Sequence, residues 1–343
     1  MNILILTHPL GTNYGGMLQC YALSTILERM GHNVEVMDRR TYFPVYKRVL
    51  RSFLSMVGHP RYNNPKFKKM MPFVSNHLKL TPALYTSKAC TSYCKKNDIN
   101  AVVVGSDQVW RRDFALKYDF DYFLSFAPSN LKKISYAASL GFSEWQYDET
   151  ETDIIKENLR SFSGISLREE DVLKLFHENT GFQPENVLDP TLVLNAKDYD
   201  ELCSPRLVEG KYIFVYWLWN KTKIYEALEA VPNLEHYKVI DLSMLEGNDF
   251  CSVYDWLSYI KYADYVITDS FHGCAFSIIY ERSFNYVHKP EVFDGRRTSL
   301  FNFLKIDPDK MILGNLKREY TQINETKKLL QDAAIRYLQD SLK

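Results

Sequence analysis

The 343-residue sequence lacks both net charge and any apolar run long enough to cross a membrane. Lys and Arg together number 42, and so do Asp and Glu, so no global field attracts nucleic acid. The longest apolar run, 212–219, has the length of a strand. The start of the chain also lacks the basic, apolar pattern of a signal peptide. We therefore expect a cytoplasmic protein that binds no nucleic acid.

Cysteine is scarce, and its spacing is wrong for a metal site or a disulfide framework. Of the six cysteines, only Cys90 and Cys94 lie close together, and no second Cys or His pair completes a zinc spacing. The G-x-G-x-x-G fingerprint of dinucleotide-binding proteins is missing as well. We predict reduced thiols, and we expect neither a bound metal nor a cofactor.

Acidic residues are absent from one long stretch, 39–97, which carries 13 Lys and Arg residues. Tyr, Phe and Leu lie between these charges. A basic, aromatic segment of this kind suits an anionic surface or a polyanionic ligand. We predict an insertion of short helices and loops that makes peripheral contact with a membrane; a solvated face without a ligand explains the charges nearly as well.

Apolar strand patterns alternate with helical patterns along the rest of the chain. The predicted strands are 2–6, 34–37, 101–104, 134–138, 164–167, 212–219, 239–242, 265–267 and 284–287. Two such runs in succession predict an α/β protein with two doubly wound, Rossmann-like domains facing a cleft. We place the domains at 1–195 and 205–318. A helix within 319–343 is expected to pack back on the first domain.

Polar residues follow several predicted strands, at the sheet edge where open parallel sheets bind ligands. The first strand leads into a Gly-rich turn over 7–16, which a tight turn with positive φ at Gly15 and Gly16 also explains. Asp107 follows the strand 101–104. Arg168 follows 164–167 and either binds a carboxylate or phosphate or is an ordinary paired surface arginine.

The stretch 265–280 combines a buried strand, a turn and an apolar helix. Asp269 and Ser270 are good N-cap residues, and His272 lies at the predicted helix N-terminus. Unpaired amides and the positive end of the helix dipole favour an anion there, and Gly273 would let a ligand approach the backbone. The alternative is a capped helix start whose histidine faces solvent.

Six short motifs in this order resemble the polysaccharide pyruvyl transferases. They are N-Y-G-G-M-L-Q at 13–19, V-V-G-S-D-Q-V-W at 103–110, S-Y-A-A-S-L-G at 135–141, S-L-R-E at 166–169, L-D-P-T at 188–191 and T-D-S-F-H-G at 268–273. The resemblance implies a fold like that of the GT-B glycosyltransferases. It also implies transfer of the enolpyruvyl group of phosphoenolpyruvate onto two sugar hydroxyls, which forms a pyruvate ketal and releases phosphate.

The resemblance implies that His272 and Arg168 contact the donor. We predict that His272 and the amides of 270–273 hold the phosphate, and that Asp107 is the base for the attacking hydroxyl. Asp269 is the second candidate base, although an N-cap role explains it well. The predicted substrate-binding residues are Asn13, Tyr14, Gly15, Gln19, Ser106, Ser270, Phe271, Gly273 and Arg297. Among them, Asn13, Tyr14 and Gln19 would line the acceptor side, and Arg297 adds a second cation or is a surface residue.

The expected acceptor is a glycan of a capsular or exopolysaccharide, or its polyprenyl-diphosphate-linked precursor. The basic region 39–97 would attract that diphosphate at the inner face of the membrane. Two alternatives stay open: a GT-B glycosyltransferase that uses a nucleotide sugar, and a non-catalytic subunit of polysaccharide assembly.

Overall fold

The computed structural model describes residues 1–41, 46, 64–244, 250–288, 295–312 and 316–343. Part of the predicted basic insertion, 42–45 and 47–63, therefore lies outside the described residues. The described remainder of that region contains two helices, α2 (Pro65–His77) and α3 (Ser87–Lys96). Among the described residues, no helix is both long enough and apolar enough to cross a bilayer.

A five-stranded parallel sheet organises the first half of the chain, with the strand order β2-β1-β3-β4-β5. Its strands are β1 (Asn2–Leu6), β2 (Asn33–Val36), β3 (Ala101–Val104), β4 (Lys132–Ser135) and β5 (Phe162–Gly164). All four residues of the A-V-V-V strand β3 are buried, as expected of a central parallel strand covered on both faces. Two short strands, β6 (Ser166–Leu167) and β7 (Glu185–Asn186), form a separate parallel pair beside this sheet.

Helices cover this sheet and fix its loops. They are α1 (Tyr14–Arg29), α4 (Arg112–Lys117), α5 (Glu149–Leu159), α6 (Leu173–Thr180), α7 (Pro190–Val193) and α8 (Ala196–Asp200). Helix α1 begins at Tyr14, because the Asn13 side chain accepts a hydrogen bond from the Gly16 amide at 3.1 Å. Gly15 and Gly16 therefore lie in the first helical turn, and neither has a positive φ. The tight-turn explanation for these two glycines is wrong.

A four-stranded parallel sheet organises the second half, in the order β11-β10-β8-β9. Its strands are β8 (Tyr212–Tyr216), β9 (Lys238–Asp241), β10 (Tyr265–Thr268) and β11 (Ser283–Tyr286), and the helices are α9 (Lys221–Glu229), α10 (Val253–Lys261), α11 (Phe271–Ile279), α12 (Gly295–Leu304) and α13 (Lys317–Leu342). Every residue of α11 is buried. This explains its nearly continuous apolar sequence.

The two halves share one hydrophobic core at the junction of α1, α10 and α11. Tyr14 stacks on Trp256 with ring centroids 5.5 Å apart, and Tyr199 packs edge-on against Phe276 at 4.8 Å. The final helix α13 also contacts both halves. Its Tyr337 hydroxyl donates to the Ser135 carbonyl, and its Tyr320 hydroxyl donates to the Arg282 carbonyl, each at 2.7 Å. Helix α13 therefore joins the two halves of the chain.

Candidate active site

Two helix N-termini, those of α1 and α11, meet between the two sheets. Gly15 of α1 lies against His272 of α11 so closely that an added Cβ would stand 2.0 Å from the imidazole Nδ1. Only glycine fits at this position. The contact joins the N-Y-G-G and F-H-G motifs, which are more than 250 residues apart in the sequence.

Arg168 and His272 converge on one buried carboxylate, that of Asp189. The Arg168 Nη1 lies 2.8 Å from the Asp189 Oδ2, and the His272 Nε2 lies 3.9 Å from the same oxygen. Arg168 is 3% exposed, so the interpretation of a surface arginine is wrong. The structure brings together the two residues that we predicted to share the donor, but it also places a negative charge between them.

Further side chains hold the Arg168 guanidinium in place. The Ser106 hydroxyl donates to the Asp189 Oδ2 at 2.9 Å and lies 3.2 Å from the Arg168 Nη1. The Glu169 Oε1 accepts from the Arg168 Nε at 3.3 Å, and the guanidinium carbon lies 4.8 Å from the centre of the Phe271 ring. The guanidinium is thus oriented by two carboxylates, a hydroxyl and an aromatic face.

Two nitrogen atoms of this cluster have no hydrogen-bond partner among the described residues. They are the Arg168 Nη2 and the His272 Nε2, and both are shielded from solvent. A buried donor left without a partner costs about 1–3 kcal/mol, so such groups are uncommon unless a ligand or water supplies the bond. Arg168 and His272 therefore form a buried polar site in which two nitrogen atoms can still make hydrogen bonds.

The charges of the cluster follow from burial and from Arg168. Burial lowers the pKa of His272, against the opposing effect of Asp189, so its imidazole is neutral. Burial alone would raise the pKa of Asp189, but its interactions with His272 and Arg168 and its hydrogen bonds hold that pKa below its usual range. Arg168, at 2.8 Å, is the group that neutralises the Asp189 carboxylate.

Asp107 lies at the same edge, in a conformation that is rare for a non-glycine residue. Its φ is +91°, and its Oδ1 accepts from the Gln108 amide at 2.9 Å. Burial would raise the pKa of Asp107, but electrostatic interactions with His8, Arg168, His272 and Arg296 outweigh burial and hold that pKa below its usual range. The carboxylate is ionised, and its low pKa makes it a weak proton acceptor.

The predicted acceptor-side residues are less accessible than the sequence indicated. Tyr14, predicted to line the acceptor side, is buried, and its hydroxyl donates to the Cys251 carbonyl at 2.9 Å. Gln19 is also buried, where its amide donates to the Thr7 hydroxyl and to the Gly16 carbonyl. Only Asn13 is exposed, and its side chain caps α1. These three residues fix the start of α1.

The polar groups at the α11 N-terminus are largely used by the protein itself. The Ser270 amide donates to the Thr268 hydroxyl at 3.0 Å, and the Gly273 amide donates to the Ser270 hydroxyl at 3.3 Å. Two of the four amides predicted to hold phosphate therefore already have partners. An added Cβ at Gly273 would stand 2.6 Å from the Thr268 Oγ1, so this glycine serves helix–strand packing rather than ligand approach.

Asp269 and Arg297 likewise have roles in packing. The Asp269 carboxylate accepts from the amides of Leu218, Trp219 and Asn220, and Ser270 is the N-cap of α11. Arg297 lies over the rings of Tyr286 and Phe301 at 5.2 and 5.6 Å. Asp269, the second candidate base, thus already accepts hydrogen bonds from three backbone amides.

Sequence reasoning missed three residues of this site: Asp189, His8 and Arg296. Arg296 of α12 lowers the pKa of both His272 and Asp107 and, with Arg168 and Phe271, borders a cavity of about 10 Å³. Asp189 belongs to the L-D-P-T motif at 188–191, which was the available signal. His8 directly follows the Thr7 that ends the β1 edge, where ligands of parallel sheets bind.

Solved structures with a similar fold include several nucleotide-sugar enzymes. A Listeria monocytogenes protein described as a UDP-N-acetylglucosamine 2-epimerase aligns with a TM-score of 0.51 and 9% identity over 97% of this chain and 90% of that one. MurG from Acinetobacter baumannii aligns with a TM-score of 0.40 and 11% identity over 98% and 94% of the respective chains. The first likeness shows the GT-B fold alone, which confirms the predicted fold class.

The sequence comparison gives the family. No curated protein matches the chain. The family model of the polysaccharide pyruvyl transferases matches residues 13–287, which include all six motifs. On this match, which covers most of its length, the chain belongs to the polysaccharide pyruvyl transferase family.

Proposed function

We propose that the protein transfers the enolpyruvyl group of phosphoenolpyruvate to two hydroxyls of a polysaccharide sugar, with formation of a pyruvate ketal and release of phosphate. One observation carries this proposal: the buried Arg168 Nη2 and His272 Nε2 have no partner among the described residues. Phosphoenolpyruvate carries a phosphate and a carboxylate, which both accept such bonds. The family membership supports pyruvyl transfer in general.

In this proposal, Arg168 binds the donor and His272 moves a proton. Burial lowers the pKa of His272 and so favours the neutral imidazole before the donor binds. A bound phosphate dianion would raise that pKa, so the imidazole takes up a proton as the donor enters. His272 then delivers this proton to C3 of phosphoenolpyruvate, and Arg168 stabilises the negative charge of the departing phosphate.

Donor binding requires a local rearrangement. The cavity bordered by Arg168, Asp189, Phe271 and Arg296 measures about 10 Å³, which is room for no more than about one water molecule. The donor therefore has to move α12, which carries Arg296, away from Arg168. Once the donor lies between Arg168 and α12, α12 would cover it, and this closure would exclude water from the reacting carbons.

We propose a capsular or exopolysaccharide glycan, or its polyprenyl-diphosphate-linked precursor, as the acceptor. Lys68 and Lys69 are exposed at the start of α2, and Lys66 is half-buried there. Their charge favours an anionic group or the anionic surface of a membrane near the site. In this view the protein is cytoplasmic and touches the inner face of the membrane.

The decisive experiment measures the product released from alternative donors. Phosphate release from phosphoenolpyruvate is followed with a panel of galactose-, mannose- and glucose-containing glycans, and nucleoside diphosphate release is followed with nucleotide sugars. Phosphate release with a ketal on the glycan is the expected result. Nucleoside diphosphate release would instead identify a glycosyltransferase, and the absence of both products and of phosphoenolpyruvate binding would indicate a non-catalytic subunit.

A further inference from the structure

His8 lies at the same sheet edge as Asp107, one strand away. Strands β1 and β3 are paired with Leu6 opposite Val104. Beyond their ends, the Thr7 hydroxyl donates to the Ser106 carbonyl at 3.2 Å. His8 follows Thr7 in the first loop, and Asp107 follows Ser106 in the second. The sheet register thus places an imidazole beside the ionised carboxylate that faces Arg168 and His272.

The imidazole of His8 is fixed by rings and has an unused nitrogen. It packs at 4.3 Å from the Phe114 ring and at 5.4 Å from the Tyr122 ring, measured between centroids. Its Nε2 is buried and has no hydrogen-bond partner among the described residues. A nitrogen that is fixed by neighbouring rings and lies within the electrostatic influence of the Asp107 carboxylate suits a general base.

The charged groups around His8 keep it able to accept a proton. Burial lowers the pKa of His8, and Asp107 opposes this effect. The other titratable groups facing the ring are Arg111 and Lys117, which lower that pKa further, and Tyr122. The imidazole is therefore neutral near pH 7, while the Asp107 charge would stabilise the imidazolium once it forms.

A pocket lies beside the loop that follows His8, and His8 itself is not among its lining residues. The next three residues, Pro9, Leu10 and Gly11, line a cavity of about 290 Å³ at the ends of β1 and β2. Asp38 and Arg40 form a salt bridge of 2.7 Å on one wall, and Phe67 of α2 offers an apolar face. A sugar ring presents hydroxyls at its edge and C–H groups on its faces, which matches such a lining.

We propose that this pocket binds the acceptor sugar and that His8, whose imidazolium the Asp107 charge stabilises, removes the proton from the attacking hydroxyl. The inference rests on the proposed function, whose donor side lies at Arg168 and His272. It replaces Asp107 as the base, because a carboxylate with a depressed pKa serves better to stabilise the imidazolium than to take the proton.

The proton and electron pairs balance through the reaction. The hydroxyl proton moves to the His8 Nε2 as the oxygen bonds to C2 of phosphoenolpyruvate, and the C2–C3 π pair takes the His272 proton at C3. The C2–O bond to phosphate then breaks, and the phosphate leaves with the proton held on His8. Neutral His8 accepts the proton of the second hydroxyl, which closes the ketal; after product release His8 loses this proton to solvent and His272 regains one.

The first test compares His8→Asn with His236→Asn, a control on an exposed histidine of the second half. Turnover is measured from pH 5 to 9 with phosphoenolpyruvate and the glycan of the panel that gives the highest rate. We expect His8→Asn to lower kcat about 100-fold and to abolish the acidic limb of the pH profile of kcat. The affinity for phosphoenolpyruvate, measured by calorimetry, should stay within twofold of the wild type. His236→Asn should change nothing.

Asp107→Asn is the second variant, and it distinguishes a base from a structural residue. Loss of the carboxylate should move the acidic limb of kcat to lower pH, since Asp107 raises the pKa of His8. An acidic limb that survives His8→Asn, or a loss of phosphoenolpyruvate binding in that variant, would overturn the inference. A wild-type protein that forms no ketal would overturn the proposed function instead.

The pocket is tested with a pair of matched salt bridges. Asp38 pairs with Arg40 at side-chain exposures of 15% and 56%, and Asp198 pairs with Arg29 at 16% and 55%, outside the pocket lining. Asp38→Ala should raise KM for the glycan about tenfold at constant KM for phosphoenolpyruvate, and Asp198→Ala should leave both unchanged. Equal effects of the two variants would contradict acceptor binding at this pocket.

Discussion

The two sheet edges that face each other use their polar residues differently. At the edge of the second sheet, Thr268, Asp269 and Ser270 all bond to nearby backbone groups and so fix a loop. At the edge of the first sheet, Arg168 and His8 each retain a nitrogen without a partner among the described residues. The second edge serves mainly to hold one imidazole, that of His272, in place.

Within one motif, some residues therefore hold the loop in position and others contact the proposed reaction site. In T-D-S-F-H-G, His272 and the Phe271 ring contact groups of the other half, and Thr268, Asp269 and Ser270 fix the loop before them. In the first half, the site combines residues from three separate loops, at His8, Asp107 and Arg168. We therefore expect substitutions at the first edge to change proton transfer and charge, and substitutions around His272 to change its position or the stability of the fold.

The largest expected effect comes from Asp189, where the two edges meet. Asp189→Asn keeps the shape but removes the charge that neutralises buried Arg168 at 2.8 Å. Breaking a buried pair in this way costs about 3–5 kcal/mol, and we expect a loss near the lower end because Glu169 lies beside the guanidinium. Chemical denaturation measures the free energy of unfolding, and Thr191→Val is the control that removes only a hydroxyl contact to Asp189.

The same variant carries a pH signature. The folded-state pKa of Asp189 is below its ordinary value, so its charge stabilises the fold above about pH 4, and this contribution is lost as the pH falls through the folded-state pKa. Asp189→Asn should therefore lose most stability near pH 7 and approach the wild type in acid. A difference in unfolding free energy that does not depend on pH would contradict an ionised Asp189.

The next effect concerns the contact between Gly15 and His272. Gly15→Ala would place a methyl group 2.0 Å from the imidazole, so the ring has to move by about 1 Å or more. A displacement of this size in a reacting group lowers turnover by roughly 100-fold, and overpacking costs about 1–3 kcal/mol. Gly16→Ala is the matched control in the same turn, because its Cβ meets only the Asn13 side chain at 3.3 Å. Similar kinetics for both variants would refute the contact.

A variant of Asp269 tests whether this residue at the second edge stabilises the fold or transfers a proton. Asp269→Ala leaves the amides of Leu218, Trp219 and Asn220 without their acceptor, and we expect a loss of about 2 kcal/mol in unfolding free energy. The pH profile of kcat should keep both limbs, since this carboxylate moves no proton in the proposed reaction. Loss of one limb in a folded Asp269→Ala variant would return it to the list of candidate bases.

The sequence predicted the sheet edges well, because apolar runs and caps are local signals. The buried strands β1 and β3 were predicted with their observed bounds, and the convergence of Arg168 and His272 was anticipated from their motifs. Boundaries were less accurate at β8, where the predicted run to residue 219 ends at Tyr216. The loop after it is fixed by Asp269, a contact from another strand.

Contacts between distant residues were beyond what local patterns could give. Gly15 is required by a ring at position 272 and Tyr14 is buried by a bond to residue 251, so turn chemistry could not explain either residue. Asp189 was seen only as part of a motif, because nothing near it in sequence reveals that Arg168 is its partner. The boundaries proposed for the two domains stay a prediction.

The smallest expected effect lies outside both edges, at the exposed lysines of α2. Reversing the charge of Lys66, Lys68 and Lys69 should raise KM for a polyprenyl-diphosphate-linked glycan by about 5- to 10-fold, since salt screens these cations and the three together contribute about 1–1.4 kcal/mol. KM for the same glycan without the lipid should stay nearly constant. Reversal of Lys211, Lys221 and Lys238, which are exposed on the second half, is the control for net charge. An equal loss on both acceptors would mean that the basic region supports the fold or the donor site, and that the difference between the two sheet edges accounts for recognition without help from α2.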